Sequence, residues 1–68
     1  STNKFITAKQ NVELKYKDKV QGIIPLEGTE IEVLDTDIIK VGDTQWAHTE
    51  YDGVRGYIQI IDLVVVKE

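Results

Sequence analysis

The sequence contains no cysteine, no methionine and a single proline among its 68 residues. Without cysteine, no disulfide can stabilise the fold and no thiolate zinc site can form. The longest apolar run, Leu63 to Val66, falls well short of the roughly 20 residues that a membrane helix needs. No signal peptide opens the chain and its first residue is not methionine, so we expect a single domain over residues 1–68, excised from a longer protein.

The formal net charge of −4 is spread unevenly along the chain. Residues 1–20 hold five lysines and two acids, a balance of +3, whereas residues 27–52 hold eight acids and only Lys40, a balance of −7. A polyanion would meet a repulsive field over the middle of the chain. We therefore expect neither nucleic-acid binding nor membrane insertion, and we expect the isolated domain to be a monomer.

Alternation of apolar and polar residues with a period of two dominates the sequence and predicts an all-β fold of about five strands. Asp52-Gly53 predicts a type I′ hairpin turn because both positions tolerate positive φ, and Gly28 predicts a second turn. Closure into a small barrel is favoured because an open sheet would expose a long edge. The predicted strands are Phe5–Leu14, Val20–Pro25, Ile31–Asp35, Gln45–Tyr51 and Val54–Ile60, followed by a helical turn at Ile61–Leu63 and a short strand at Val64–Val66.

The inward positions of these strands predict the core. In the first segment the even positions Ile6, Ala8, Val12 and Leu14 share one face, while Lys15–Lys19 and Asp35–Thr44 read as polar loops. The expected core residues are Ile6, Ala8, Val20, Ile24, Leu26, Ile31, Val33, Ala47, Ile58 and Leu63.

Three segments in order resemble the bacterial SH3 (SH3b) domain family. They are LEGTEIEVL at Leu26–Leu34, then Trp46 followed by YDGVRGYI at Tyr51–Ile58, and finally Asp62-Leu63. The resemblance implies a small SH3-like barrel with one 3-10 turn before its last strand. It also implies a non-catalytic binding module of a bacterial extracytoplasmic or wall-associated protein, docking on cell-wall peptidoglycan or on a protein partner.

Two other functions stay open beside this one. The domain could be a spacer that packs within a larger protein, or an adaptor that binds proline-rich peptides. The adaptor is the poorer match, because Gln59 and Asp62 stand where the eukaryotic SH3 family carries a proline and a tyrosine.

Four residues are the candidates for ligand binding: Trp46, His48, Tyr16 and Tyr57. Trp46 is predicted to face outward at a strand start, where exposed aromatics often dominate binding energy; it could instead cap a hydrophobic cluster with Ile38 or Ile39. His48, the only histidine, could form a pH-sensitive patch or simply lie on a solvated strand face. We expect no catalytic residues, because no nucleophile is paired with a base in a water-excluded pocket.

Two further features favour structural interpretations. Asp35, Asp37 and Asp43 lack the regular spacing of a calcium loop, so we expect no metal site and no cofactor. The apolar residues Ile38, Ile39 and Val41, together with Val64–Val66, could form an exposed contact patch. We expect them instead to complete the core.

Overall fold

The computed structural model describes residues 1–66, and these residues are all-β. Eight strands are joined by turns and by two single 3-10 turns, at Asp35–Asp37 and Ile60–Asp62. The strands are β1 (Thr2–Thr7), β2 (Val12–Tyr16), β3 (Lys19–Ile24), β4 (Glu30–Leu34), β5 (Ile38–Val41), β6 (Thr44–Tyr51), β7 (Val54–Gln59) and β8 (Leu63–Val65).

The strands form two antiparallel sheets. One sheet has the order β4-β1-β8 and the other has the order β3-β2-β7-β6-β5. Within residues 1–66 neither sheet closes on itself. Both sheets contribute to a single core, which holds Phe5, Val12, Leu14, Ile24, Ile31, Val33, Ala47, Ile58 and Leu63.

The β6–β7 hairpin confirms the strongest turn signal in the sequence. Asp52 and Gly53 both have positive φ, 53° and 78°, as a two-residue type I′ turn requires. Along β6, Ala47 and Thr49 are buried while Trp46, His48 and Glu50 point to the opposite face. The predicted pairing of Gln45–Tyr51 with the return strand is therefore confirmed.

The first predicted strand is wrong because the chain turns inside it. β1 ends at Thr7 and β2 begins at Val12, with a turn between them in which Asn11 has a positive φ of 56°. The turn changes the phase of the alternation, so Phe5 and Thr7 point inward in β1 and Val12 and Leu14 do so in β2. Ile6 is consequently only half-buried and Ala8 is exposed, contrary to the core prediction.

Two other predicted core residues lie on the surface. Val20 is 46% exposed on β3, where the register with β2 shifts between Leu14 and Lys15. Leu26 is 67% exposed because it belongs to the turn that precedes β4.

The buried hydroxyl of Thr7 fixes that turn to the end of β1. Thr7 Oγ1 donates to the carbonyl of Leu26 at 3.0 Å and accepts from the amide of Thr29 at 3.0 Å. The backbone of Thr7 also accepts from Gly28 N–H at 2.8 Å and donates to Thr29 O at 3.0 Å. Thr7 is polar, so the apolar pattern does not predict its burial, but it joins β1 to the turn that leads into β4.

The segment Asp35–Thr44 is not the predicted loop, because it contains a 3-10 turn and then β5. The helical turn predicted at Ile61–Leu63 occurs one residue earlier, at Ile60–Asp62, and the last strand also begins one residue earlier than predicted, at Leu63. Ile38 packs against the core, but Ile39, Val41, Val64 and Val65 are exposed, so these four do not complete the core as expected. The exposed pairs lie on different sheets, β5 in one and β8 in the other.

Candidate functional site

A cavity of about 360 Å³ opens on the five-stranded sheet between the β2–β3 hairpin and the β5–β6 hairpin. Tyr16, Trp46 and Tyr57 line it, and we call it the aromatic groove. Its volume falls within the range of about 300–1,000 Å³ typical of small-ligand sites. Three of the four predicted binding residues, separated by up to 41 positions in the sequence, thus meet at one place.

The strand register explains how the aromatic side chains converge. Trp46 on β6 lies opposite Ile39 on β5, while Tyr57 on β7 lies opposite Lys15 on β2. Because residues directly opposite in an antiparallel pair share a face, these four side chains lie on one side of the sheet. Trp46 and Tyr57 are half-buried, which leaves part of each ring accessible to a ligand.

Two aliphatic residues form the β5 wall of the groove. Ile39 and Val41 both line it, and Val41 is 61% exposed. The alternative prediction for Trp46 was that it caps a hydrophobic cluster with Ile39. Because Ile39 and Trp46 line the same groove, that contact is compatible with a binding role. Binding pockets are typically concave and lined by exposed apolar side chains, as this groove is.

The charged residues of the groove come from the β2–β3 hairpin. Lys15, Lys17 and Asp18 line it. The ammonium group of Lys15 is 3.7 Å from a carboxylate oxygen of Glu13. The ammonium group of Lys17 lies 5.6 Å from the ring centroid of Tyr16, within cation–π range.

His48 does not line the aromatic groove, although it was predicted as a binding residue. Its ring stacks on Tyr57, with the ring centroids 4.5 Å apart and an interplanar angle of 16°. The two residues face each other across β6 and β7. His48 therefore lies on the same face of the sheet as Tyr57 and packs against its ring, without lining the groove itself.

A second cavity, of about 500 Å³, lies between β4 and β6, and His48 is among the residues that line it. Its lining is acidic, and it has one basic residue, Arg55, whose guanidinium is 3.4 Å from Glu50. Within residues 1–66 no group of three or more acids and histidines is placed to hold a metal ion. The acids of this cavity include Glu30, Glu32, Asp37 and Glu50.

The clearest electrostatic perturbation lies outside both cavities, in the 3-10 turn that follows β4. A hydrogen bond from the Asn3 amide and then contact with the Ser1 amino group hold the pKa of Asp35 below its ordinary value. Asp35 is exposed, so the perturbation belongs to a surface contact and offers no water-excluded general base.

Sequence reasoning missed Lys15, Lys17, Ile39 and Val41 as parts of the site. Lys15 and Lys17 fall in a segment predicted as a solvated loop, whereas the structure makes it a hairpin tip. The signal for Ile39 and Val41 was their alternation around Lys40, which is typical of a strand with one apolar face. None of the described residues 1–66 forms a helix long and apolar enough to cross a membrane.

No family model, curated protein or solved structure matches the chain. The geometry of the groove is therefore the main evidence for what the protein does.

Proposed function

We propose that this chain is a non-catalytic binding module with an SH3-like barrel, of the SH3b type. The order of its elements supports the proposal: two small antiparallel sheets share one core, a tight Asp-Gly hairpin follows Trp46, and a 3-10 turn precedes the last strand. The bacterial and wall-associated setting rests on the sequence resemblance.

One observation carries the binding role. Tyr16, Trp46 and Tyr57 come from three different strands and line a single groove that no segment of residues 1–66 fills. Aromatic side chains lose little conformational entropy on binding and bury a large area, so a group of them dominates many interfaces. We propose that this groove docks the parent protein on cell-wall peptidoglycan or on a protein partner.

Retention on purified peptidoglycan and on partner peptides tests this role. Trp46→Ala should weaken binding by about 2 kcal/mol, which is roughly 30-fold, because it removes the largest aromatic wall of the groove. The matched control is Ile61→Ala: this residue is 83% exposed and lies outside the groove, so its removal should leave binding unchanged. Equal retention of wild type and Trp46→Ala would contradict the assignment of the groove.

The same experiment separates the two competing functions. A spacer domain would show no retention on any ligand and no difference between the variants. An adaptor for proline-rich peptides would bind a neutral proline-rich peptide through Trp46 and ignore peptidoglycan.

A further inference from the structure

We propose that the aromatic groove binds an extended segment of a partner protein in which a carboxylate side chain neighbours an apolar one. The carboxylate would meet Lys17 and Lys15 at the hairpin tip, while the apolar group would lie against the β5 wall. This inference rests on the proposed function and specifies the ligand of the same groove.

The tip of the β2–β3 hairpin has the opposite sign of charge to the chain as a whole. Residues 15–19 hold three lysines and one aspartate, a balance of +2, where the full chain has −4. Lys15 is partly compensated by Glu13 at 3.7 Å. Lys17 forms no ion pair with the described residues and lies over Tyr16. The groove therefore presents one uncompensated ammonium group beside an aromatic wall.

The backbone of Lys17 fixes its position at the hairpin tip. Lys17 has a positive φ of 56°, a conformation that asparagine or glycine adopts more readily than a lysine does. A non-glycine residue in this region costs roughly 1 kcal/mol or more. Lys17 takes this conformation in the tight turn between β2 and β3, and the turn places Lys17 in the lining of the groove.

The acids that make the chain negative lie mainly elsewhere. Glu30, Glu32 and Glu50 line the separate cavity between β4 and β6, not the groove. The Debye length at physiological ionic strength is about 8 Å, so a bound ligand responds mainly to its nearest charges. For a ligand at the hairpin tip these are the lysines, Asp18, and Glu13 beside Lys15.

The β5 wall favours a peptide side chain over a sugar ring. Ile39 and Val41 offer only hydrocarbon to a ligand. Burying a ligand methylene there contributes about 0.8 kcal/mol, whereas burying a hydroxyl without a hydrogen-bond partner is unfavourable. A ligand with an apolar side chain next to an acidic one therefore matches both the aliphatic β5 wall and the lysines of the hairpin tip.

Fluorescence of Trp46, the only tryptophan, reports occupancy of the groove directly. The probe is a capped peptide with a glutamate on each side of a Leu-Phe pair, compared with the same peptide carrying glutamine or lysine in place of glutamate. Each carboxylate–lysine contact should strengthen binding by roughly 1.5- to 5-fold over the glutamine peptide. The lysine peptide should bind more weakly still.

Lys17→Asn separates loss of charge from loss of folding. Asparagine tolerates positive φ, so this variant should unfold at the same temperature as the wild type or higher. It should weaken binding of the glutamate peptide by roughly 1.5- to 5-fold and leave the glutamine peptide unaffected. Lys40→Gln is the matched control, because Lys40 is exposed on β5 but does not line the groove.

The possible results distinguish this inference from the proposed function. If the glutamine or lysine peptide binds as tightly as the glutamate peptide, or if Lys17→Asn weakens both alike, the carboxylate preference is wrong and the binding role stands. If the chain is retained on peptidoglycan but binds none of the peptides, the carboxylate preference is likewise wrong and the binding role stands. If neither the peptides nor peptidoglycan bind, both the inference and the proposed function are wrong.

Discussion

Replacing Thr7 by valine should destabilise the fold out of proportion to the size of the change. Valine has nearly the same shape as threonine but has no hydroxyl. Thr7 Oγ1 bridges the Thr29 amide and the Leu26 carbonyl at 3.0 Å each, and the side chain is buried. In Thr7→Val the Thr29 N–H loses its partner, while Leu26 O still accepts from the hydroxyl of Thr29 at 2.7 Å.

The expected loss follows from the one donor left unpaired. The hydrogen bond of the Thr29 amide is partly buried. Leaving a donor away from water without a partner costs about 1–3 kcal/mol, so we expect the free energy of unfolding to fall by about 2 kcal/mol. A core of this size supports only about 3–5 kcal/mol in total. With a urea slope of about 1 kcal/mol per M, the midpoint should move by about 2 M.

Urea unfolding followed by Trp46 fluorescence measures this shift. Thr49→Val is the matched control: Thr49 is also buried, but its hydroxyl makes a single long bond of 3.4 Å to Glu32 O, so its loss should cost less than about 1 kcal/mol. Thr7→Ser keeps both hydrogen bonds and should lose only about 1 kcal/mol for the missing methyl group. A Thr7→Val midpoint equal to that of Thr49→Val would refute the bridging role of the Thr7 hydroxyl.

Two further perturbations test other contacts of the fold. Gly56→Ala should lower the free energy of unfolding by about 1–3 kcal/mol, because the added Cβ would stand 3.1 Å from Leu14 Cβ and 3.2 Å from its backbone carbon; an unchanged urea midpoint would contradict this close approach of β7 and β2. The pKa of Asp35, lowered by Asn3 and then by the Ser1 amino group, gives a stability contribution that is present at neutral pH and is lost as pH falls through the depressed value. Asn3→Ala should raise that pKa toward its ordinary value in an NMR titration, and an unmoved titration curve would exclude the Asn3 contact as its cause.

The all-β class, the Asp-Gly hairpin and the faces of β6 could be predicted because each depends on local alternation and turn chemistry. The core positions near Thr7 could not be predicted in the same way. The turn at residues 8–11 reverses the inward phase without a glycine or proline to mark it. Thr7 is buried through hydrogen bonds to a turn 19 or more positions away, which an apolar pattern does not reveal.

The candidate site was predicted in its aromatic part and missed in its charged and aliphatic parts. The sequence has few aromatic residues, and each is a candidate for binding by its residue type alone. Tyr16, Trp46 and Tyr57 could therefore be named as candidates without knowing that they converge. Their convergence depends on long-range register, such as Lys15 opposite Tyr57. His48 shares this face, directly opposite Tyr57, yet does not line the groove, a distinction that strand alternation alone does not make.

The most direct test of the groove is an amide and indole chemical-shift map recorded while the glutamate peptide, and separately soluble peptidoglycan fragments, are added to the labelled chain. Our account predicts that the shifts concentrate on the Trp46 indole and on the amides around Tyr16, Lys17 and Tyr57. A map centred on the acidic cavity around Glu32, or a spectrum that neither ligand perturbs, would contradict it.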